Sequence, residues 1–257
     1  MNPLGGKIAI VTGASNGIGR AIAERLAQDG ATVVVNYGKS VEKAKAVVAG
    51  IEAAGGKAVA IHADMSKVSE VRRLIKDTVK QFGRLDILVN NAGVNIARRS
   101  WAQLDASGAD QVLNGNLSSA FYCVLAALPI MRAQKDGVLI HTASMAGRSI
   151  GPLSGAAYAA AKHGVVGMSH SINCEECVNG IRSTVLCPGE VATPILDQRP
   201  VPVSAQDRAR MLQPEDVADL ILYVASLPAH VCVNEVWITP TWNRGYAAAL
   251  EQAHVRP

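Results

Sequence analysis

The sequence predicts a doubly wound α/β fold, a parallel sheet covered by helices on both faces in three αβα layers. Three observations lead there. Short β-branched runs alternate with helical patterns of apolar residues from Lys7 to Ile140. The first run passes into the first helix through a glycine-rich turn. Polar or glycine residues then recur just past one strand pattern after another, at Asp64, Asn90, Ser144 and Pro188-Gly189, which is where open parallel sheets bind ligands. With 257 residues, 49% hydrophobic and 18% charged, the chain can bury a large core, and 1–257 is read as one domain.

Lys7 to Val11 is the first strand pattern. It runs into Thr12-Gly13-Ala14-Ser15-Asn16-Gly17-Ile18-Gly19, after which Ile18, Ile22 and Leu26 recur at helical spacing as far as Asp29-Gly30. Thr32 to Val35 is the second strand, completing a βαβ unit. Such a turn aims backbone N–H groups and the positive end of a helix dipole at an anion, so a pyrophosphate, and hence a dinucleotide, is the expected ligand. Ser40 to Ala54 reads as a helix, Ala58 to Ile61 as a strand, Ser66 to Phe82 as a helix and Ile87 to Val89 as a strand. Asp105 to Met131 contains a long helix, and Val138 to Ile140 is a further strand. Internal repeats and low-complexity segments are absent.

Between Gly155 and Gly167 the sequence holds two obvious chemical groups, Tyr158 and Lys162. Four residues apart on a helix, they share one face a turn apart. A phenol titrates near 10, so proton transfer near neutrality requires a shift of roughly three units, and a neighbouring positive charge acts in that direction.

Other features narrow the function classes. The net charge of +4 is modest and only Arg72-Arg73 and Arg98-Arg99 are adjacent basic pairs, so no stripe suggests nucleic acid. No stretch reads as a membrane span and Met1 to Lys7 lacks signal-peptide regions, so a cytoplasmic protein without a membrane partner is expected. Five cysteines (Cys123, Cys174, Cys177, Cys187, Cys232) lack framework spacing, and Cys174-x-x-Cys177 has no second pair in register, so no metal site is expected. His62 and His141 are read as structural, and His163 points away from Lys162.

Taken together, Thr12-Gly13-x-x-x-Gly17-Ile18-Gly19, Asp64, Asn90-Asn91-Ala92-Gly93, Asn116, Ser144, Tyr158-x-x-x-Lys162 and Pro188-Gly189 followed by Thr193 resemble the short-chain dehydrogenases/reductases. The resemblance spans about the first 225 residues and implies a Rossmann fold that moves a hydride between a nicotinamide dinucleotide and a carbonyl or secondary alcohol. It implies Tyr158 as general acid/base, Ser144 as carbonyl-polarising hydroxyl, Lys162 as partner of both phenol and nicotinamide ribose, and Asn116 as anchor of a water in a proton relay. It implies that Gly13, Ser15, Asn16, Gly17, Ile18 and Gly19 line the pyrophosphate and ribose. Asp64 would meet the adenine, Asn91 with Ala92 the adenosine half, and Thr193 beyond Pro188-Gly189 the carboxamide. Asn90 and Asn91 have a second reading, as amides that pin adjacent loops. A homotetramer, or a homodimer, is also implied.

Two departures matter. Val236 to Ile238 leads into Thr239-Pro240-Thr241-Trp242-Asn243-Arg244, not the Val-Asp-Gly-Gly of relatives that reduce acyl thioesters, so the tail from about 239 is non-standard. The segment at about 190–213, with Arg199, Arg208 and Arg210, lies where the family has a variable substrate lid. At the end of the second strand, Val35-Asn36-Tyr37-Gly38-Lys39-Ser40 holds no carboxylate to exclude a 2′-phosphate. NADP(H) is therefore expected over NAD(H), tempered by Asn16 where phosphate-preferring relatives carry a cation, and Asn36 is the position whose change to Asp is expected to shift preference. Two alternatives are a dinucleotide-binding regulator or scaffold without chemistry, disfavoured by the intact Asn116, Ser144, Tyr158 and Lys162, and an epimerase or dehydratase, disfavoured by glycine spacing and length.

Overall fold

The computed structural model describes residues 2–198 and 202–254; Arg199 of the expected lid lies outside them. Seven parallel strands form one sheet in the order β3-β2-β1-β4-β5-β6-β7. They are β1 Ile8–Val11, β2 Thr32–Tyr37, β3 Lys57–His62, β4 Ile87–Asn90, β5 Gly137–Thr142, β6 Ile181–Pro188 and β7 Glu235–Ile238. The chain winds outward from β1 to β3, returns to β4 beside β1, and then winds the other way. The crevice at the carboxyl ends of β1 and β4 is thus the topological switch point.

Helices cover both faces because alternate strand residues point to opposite sides. On one face Val33, Val35 and Val89 pack with Ile22 and Leu26 of α1 (Gly17–Gln28), Val47 and Ile51 of α2 (Val41–Ala53), and Val217 and Ile221 of α8 (Pro214–Ala225). On the other, Ile10, Val34, Leu88 and Leu139 pack with Leu74 and Ile75 of α3 (Val68–Phe82), Val124 and Met131 of α5 (Ser119–Gln134), and Val165 and Ile172 of α6 (Ala156–Glu176). Each such side chain contributes about 1.5–3 kcal/mol of burial.

The long helix departs from expectation. It is α4 (Ala106–Leu113), a π-helical turn (Asn114–Ser118) and then α5. The cause is tertiary: the Asn116 amide donates to the Val112 carbonyl at 2.8 Å and to the Val94 carbonyl at 2.7 Å, diverting the helix ladder toward the loop after β4. The run Ala106–Gln134 is, by length and composition, apolar enough to cross a membrane, contrary to the sequence reading. Its apolar side, with Cys123, Val124, Ala127 and Met131, is part of the core.

Beyond β6 lie a 3₁₀ turn (Pro194–Gln198), α7 (Ala205–Arg210), and, past β7, α9 (Arg244–His254). Arg244 forms a two-point pair with Glu190 at 2.8 and 2.6 Å, and Arg210 stacks 4.8 Å from the Trp242 ring centroid. The non-standard tail thereby fastens the segment after β6.

Candidate active site

The glycine turn is built by close approach. Gly13 and Gly17 hold φ of 63° and 52°, in the left-handed region open to glycine. A β-carbon on Gly19 would stand 2.4 Å from the Gly13 carbonyl and 2.5 Å from Asn91 Nδ2, so only glycine lets α1 start this near the strand ends. Asn16 is the exposed N-cap of α1 and makes no side-chain cap bond, and Ser15 is half-buried beside it. These residues fit a pyrophosphate: left-handed glycines bring the backbone close, and the helix N-terminus faces the crevice.

Asn36 supports the glycine turn. Its side chain is 1% exposed, accepts the Gly13 N–H at 3.1 Å, and donates to the Ile61 and Ala63 carbonyls at 3.3 and 3.1 Å. It shapes the turn from beneath. Asn91 also pins loops: its backbone N–H donates to Thr12 Oγ1 at 2.9 Å and its amide to the Thr12 carbonyl at 3.0 Å, while the Ala92 N–H donates to the same hydroxyl at 3.0 Å. Asn90 Nδ2 lies 3.1 Å from His141 Nδ1. Asp64 accepts from the Ser66 N–H at 3.0 Å and hydroxyl at 2.7 Å, and those bonds to Ser66 hold its carboxyl below the usual range.

Asn116, Ser144, Tyr158 and Lys162 converge on one cavity of about 680 Å³, whose wall also includes Ile18, Asn91, Pro188, Gly189 and Thr193. Gly13, Ser15, Asn16, Gly17 and Gly19 form the adjoining turn, with the Thr193 methyl positioned against Gly17. Asn36 and Asp64 lie off the cavity wall.

Ser144, beyond β5, accepts the Ala146 N–H at 3.1 Å and caps a short 3₁₀ turn (Met145–Gly147). Lys162 is 4% exposed and donates to the Thr142 carbonyl at 2.8 Å, with its ammonium 5.5 Å from the Tyr158 ring centroid. A β-carbon on Gly93 would stand 2.7 Å from Asn116 Oδ1 and 3.6 Å from Lys162 Nζ, so the turn after β4, the π turn and α6 meet at one point.

The electrostatics differ from the expectation that Lys162 pulls the phenol down. Burial pushes the Tyr158 phenol above its ordinary value; the Ser144 hydroxyl and the Arg99 charge pull it partly back. Burial likewise lowers Lys162 from 10.5 to about 8. His141, fully buried, is pushed from 6.5 down to about 3 by burial and then by the Lys162 charge. His163 bonds the Ala159 carbonyl at 2.9 Å. Arg99 and Thr142 are site residues that sequence reasoning missed. Arg99 was visible only as half of a basic pair, and the Thr142 contribution is a backbone carbonyl, which carries no sequence signal.

Among the described residues, no cluster of three or more His, Cys, Asp or Glu side chains forms a metal cage, and the five cysteines are free.

The switch-point cavity, glycine turn and Tyr/Lys pair together define an oxidoreductase of the doubly wound, nicotinamide-dinucleotide class. Residues 7–201 match the family model for short chain dehydrogenases. A 3-oxoacyl-[acyl-carrier-protein] reductase of Synechocystis is 39% identical over 232 residues, 89% of this chain and 93% of that protein. A 3beta-hydroxysteroid dehydrogenase of Mediterraneibacter gnavus is 37% identical over 207 residues, 80% of this chain and 72% of that protein. A solved metagenomic short-chain oxidoreductase in complex with NADP superimposes with a TM-score of 0.81 at 32% identity, covering 94% of this chain and all of that one. The chain belongs to the short-chain dehydrogenase family and is an oxidoreductase of the carbonyl/alcohol class.

Proposed function

We propose that the protein reduces a carbonyl, or oxidises the corresponding secondary alcohol, with Tyr158, Ser144, Lys162 and Asn116 as its machinery and NADP(H) as preferred cofactor, NAD(H) also being accepted. The observation that carries this is the convergence of those four side chains on one cavity at the switch point. A bound reduced nicotinamide supplies the hydride. As negative charge grows on the substrate oxygen, Tyr158 gives its proton and Ser144 donates a second hydrogen bond. In the oxidative direction the Tyr158 oxygen takes the proton back. Lys162, oriented by the Thr142 carbonyl, keeps a positive charge near the phenol and reaches the nicotinamide ribose. Asn116, held at the π turn, anchors the far end of a proton path through Lys162.

Support for NADP(H) comes from the end of β2, where no carboxylate stands and Lys39 is exposed at the head of α2. The metagenomic neighbour solved with NADP agrees. Gly13, Ser15, Asn16, Gly17, Ile18 and Gly19 hold the pyrophosphate side, Asp64 and Asn91 the adenosine side, and Thr193 the carboxamide. A lid at about 190–213, a homotetramer and a cytoplasmic location complete the proposal; exposed Phe121 and Leu125 on α5 support self-association, and five free cysteines suit a reducing compartment. One relative is named for a 3-oxoacyl thioester and another for a steroid, so the carbon skeleton does not carry over.

The test is a panel of ketones and alcohols followed by nicotinamide absorbance, for wild type and Tyr158→Phe. Tyr158→Phe should lose about 10²-fold or more in turnover while keeping dinucleotide affinity. Comparable turnover by that variant would overturn the assignment.

A further inference from the structure

Behind the cavity, where α6 covers β6 and β7, stands a polar cluster that the proposed chemistry does not use. Val185 of β6 is in register with Glu235 of β7, so Glu235 and Cys187 stand on the same face of the sheet, the face that α6 packs on. The Glu235 carboxylate accepts a two-point pair from Arg148, with Nε at 2.5 Å from Oε1 and a terminal N–H on Oε2. His170 of α6 lies 3.2 Å from the same Oε2, and the Cys187 thiol donates to Oε1 at 3.8 Å. Arg148 and Cys187 both reach the loop of Ser144. Arg148 is the C-cap of the 3₁₀ turn whose N-cap is Ser144, and its backbone N–H closes that turn on the Met145 carbonyl at 2.9 Å. Cys187 is fully buried, and the backbone N–H of Ser144 acts on its sulfur. The Ala143 N–H donates to the Leu186 carbonyl at 2.8 Å, which sets Ser144 beside Cys187. Glu235 thus bears on both ends of the turn. Between them a β-carbon on Gly147 would stand 2.8 Å from the Lys162 carbonyl, so the turn has little slack against α6.

We propose that Glu235 is a positioning residue for Ser144, holding one end of its turn through Arg148 and the other through Cys187, so that the Ser144 hydroxyl meets the substrate oxygen as a donor. Within the turn Ser144 Oγ already accepts the Ala146 N–H at 3.1 Å, which leaves its own proton to point outward. A slackened turn would free the hydroxyl to rotate or withdraw, and small displacements of a group that acts in the transition state are costly in rate. A partly exposed ion pair adds little to stability, whereas the planar fork of an arginine on a carboxylate fixes direction. Glu235, Arg148 and His170 are not on the cavity wall, so the effect is exerted through the turn and not on the substrate. This inference rests on the reductase reading, in which Ser144 donates to the carbonyl oxygen, and adds to it what holds Ser144 in place.

The experiment is a double-mutant cycle on the full chain: wild type, Glu235→Gln, Arg148→Met, Ser144→Ala, and each of the first two substitutions combined with Ser144→Ala. Arg148→Met, on a partly exposed side chain, keeps the test open should Glu235→Gln not fold. Steady-state kinetics use NADPH and the ketone of the panel that wild type reduces fastest. NADPH fluorescence titration and thermal unfolding check the nucleotide site and the fold. Glu235→Gln and Arg148→Met should each lower kcat by about tenfold, with KM and NADPH affinity nearly unchanged. In the Ser144→Ala background neither should lower kcat further by more than about twofold, because the hydroxyl they position is gone. Equal losses with and without that hydroxyl, or wild-type kcat in both single variants, would overturn the role of Glu235 and leave the reductase reading standing. Wild-type kcat in Ser144→Ala, or a wild-type protein that binds NADPH and reduces no ketone, would overturn the reductase reading and this inference with it.

Discussion

A β-carbon added to Gly93 would stand 2.7 Å from Oδ1 of Asn116, so the turn after β4 and the π turn between α4 and α5 are fitted to each other at the side of Lys162. Asn116 is 2% exposed and its amide is shared between two backbone carbonyls, leaving it little room to retreat. Gly93→Ala should therefore displace Asn116 or the loop, at about 1–3 kcal/mol of stability, and should lower kcat by more than it changes nucleotide affinity. Thermal unfolding and steady-state kinetics read both effects. Wild-type kcat in a stable Gly93→Ala protein would show that this fit has no bearing on turnover.

Asn36→Asp should act on the fold and not as a cofactor switch. The carboxylate can still accept the Gly13 N–H, but it would face the Ile61 and Ala63 carbonyls, to which the amide now donates. Acceptor against acceptor in a buried place costs about 1–3 kcal/mol or more. Urea unfolding should show that loss. Unchanged stability together with a clean turn to NAD(H) would restore the reading made from sequence alone.

His141 makes stability fall in acid. Its folded value of about 3 lies below the ordinary 6.5 because burial disfavours the imidazolium. Between those values the unfolded chain binds the additional proton, so the stability is complete above 6.5 and is lost as pH falls toward 3. The loss is of the order of 3–5 kcal/mol at the lower end. His141→Gln, which keeps an acceptor for the Asn90 amide, should flatten this part of the urea-unfolding profile relative to wild type. Parallel profiles for the two proteins would exclude His141 as the cause.

The alternation of elements was legible because it rests on local pattern: β-branched runs between helical periods leave few topologies for a parallel sheet. The glycine turn was legible for the same reason, since left-handed backbone at Gly13 and Gly17 leaves its mark as residue type. Three things were not. The π turn is imposed by Asn116 reaching Val94, a contact across 22 residues that no local period records. The consumption of Asn36 depends on carbonyls of β3 and the residue after it, which are visible only once β2 and β3 are paired. The push on the Tyr158 phenol comes first from burial, with Ser144 and then Arg99 pulling it partly back, and Arg99 is brought to α6 only by packing against Gly155.

Cofactor preference can be tested at Lys39. β2 ends at Tyr37 and α2 begins at Val41, so Lys39 is exposed in the short link where the adenosine end of a dinucleotide is expected, and Ser40 caps α2 without a side-chain bond. A 2′-phosphate there would meet the Lys39 ammonium and the N–H groups at the head of α2, both favouring negative charge. Glu42 in the first turn opposes it, but Glu42 is paired with Lys45 at 3.1 Å and is exposed, so its repulsion is screened. With Asn36 committed to the Gly13 turn, Lys39 is the charged residue of this link available to read the phosphate. Lys39→Ala should weaken NADPH binding by about tenfold, or 1.4 kcal/mol, and leave NADH nearly unchanged, while Lys39→Glu should reverse the preference. The NADPH affinity of wild type should also fall with added salt more steeply than that of Lys39→Ala. Fluorescence titration of both cofactors against the three proteins decides the matter, and equal NADPH affinity in wild type and Lys39→Ala would place the phosphate elsewhere.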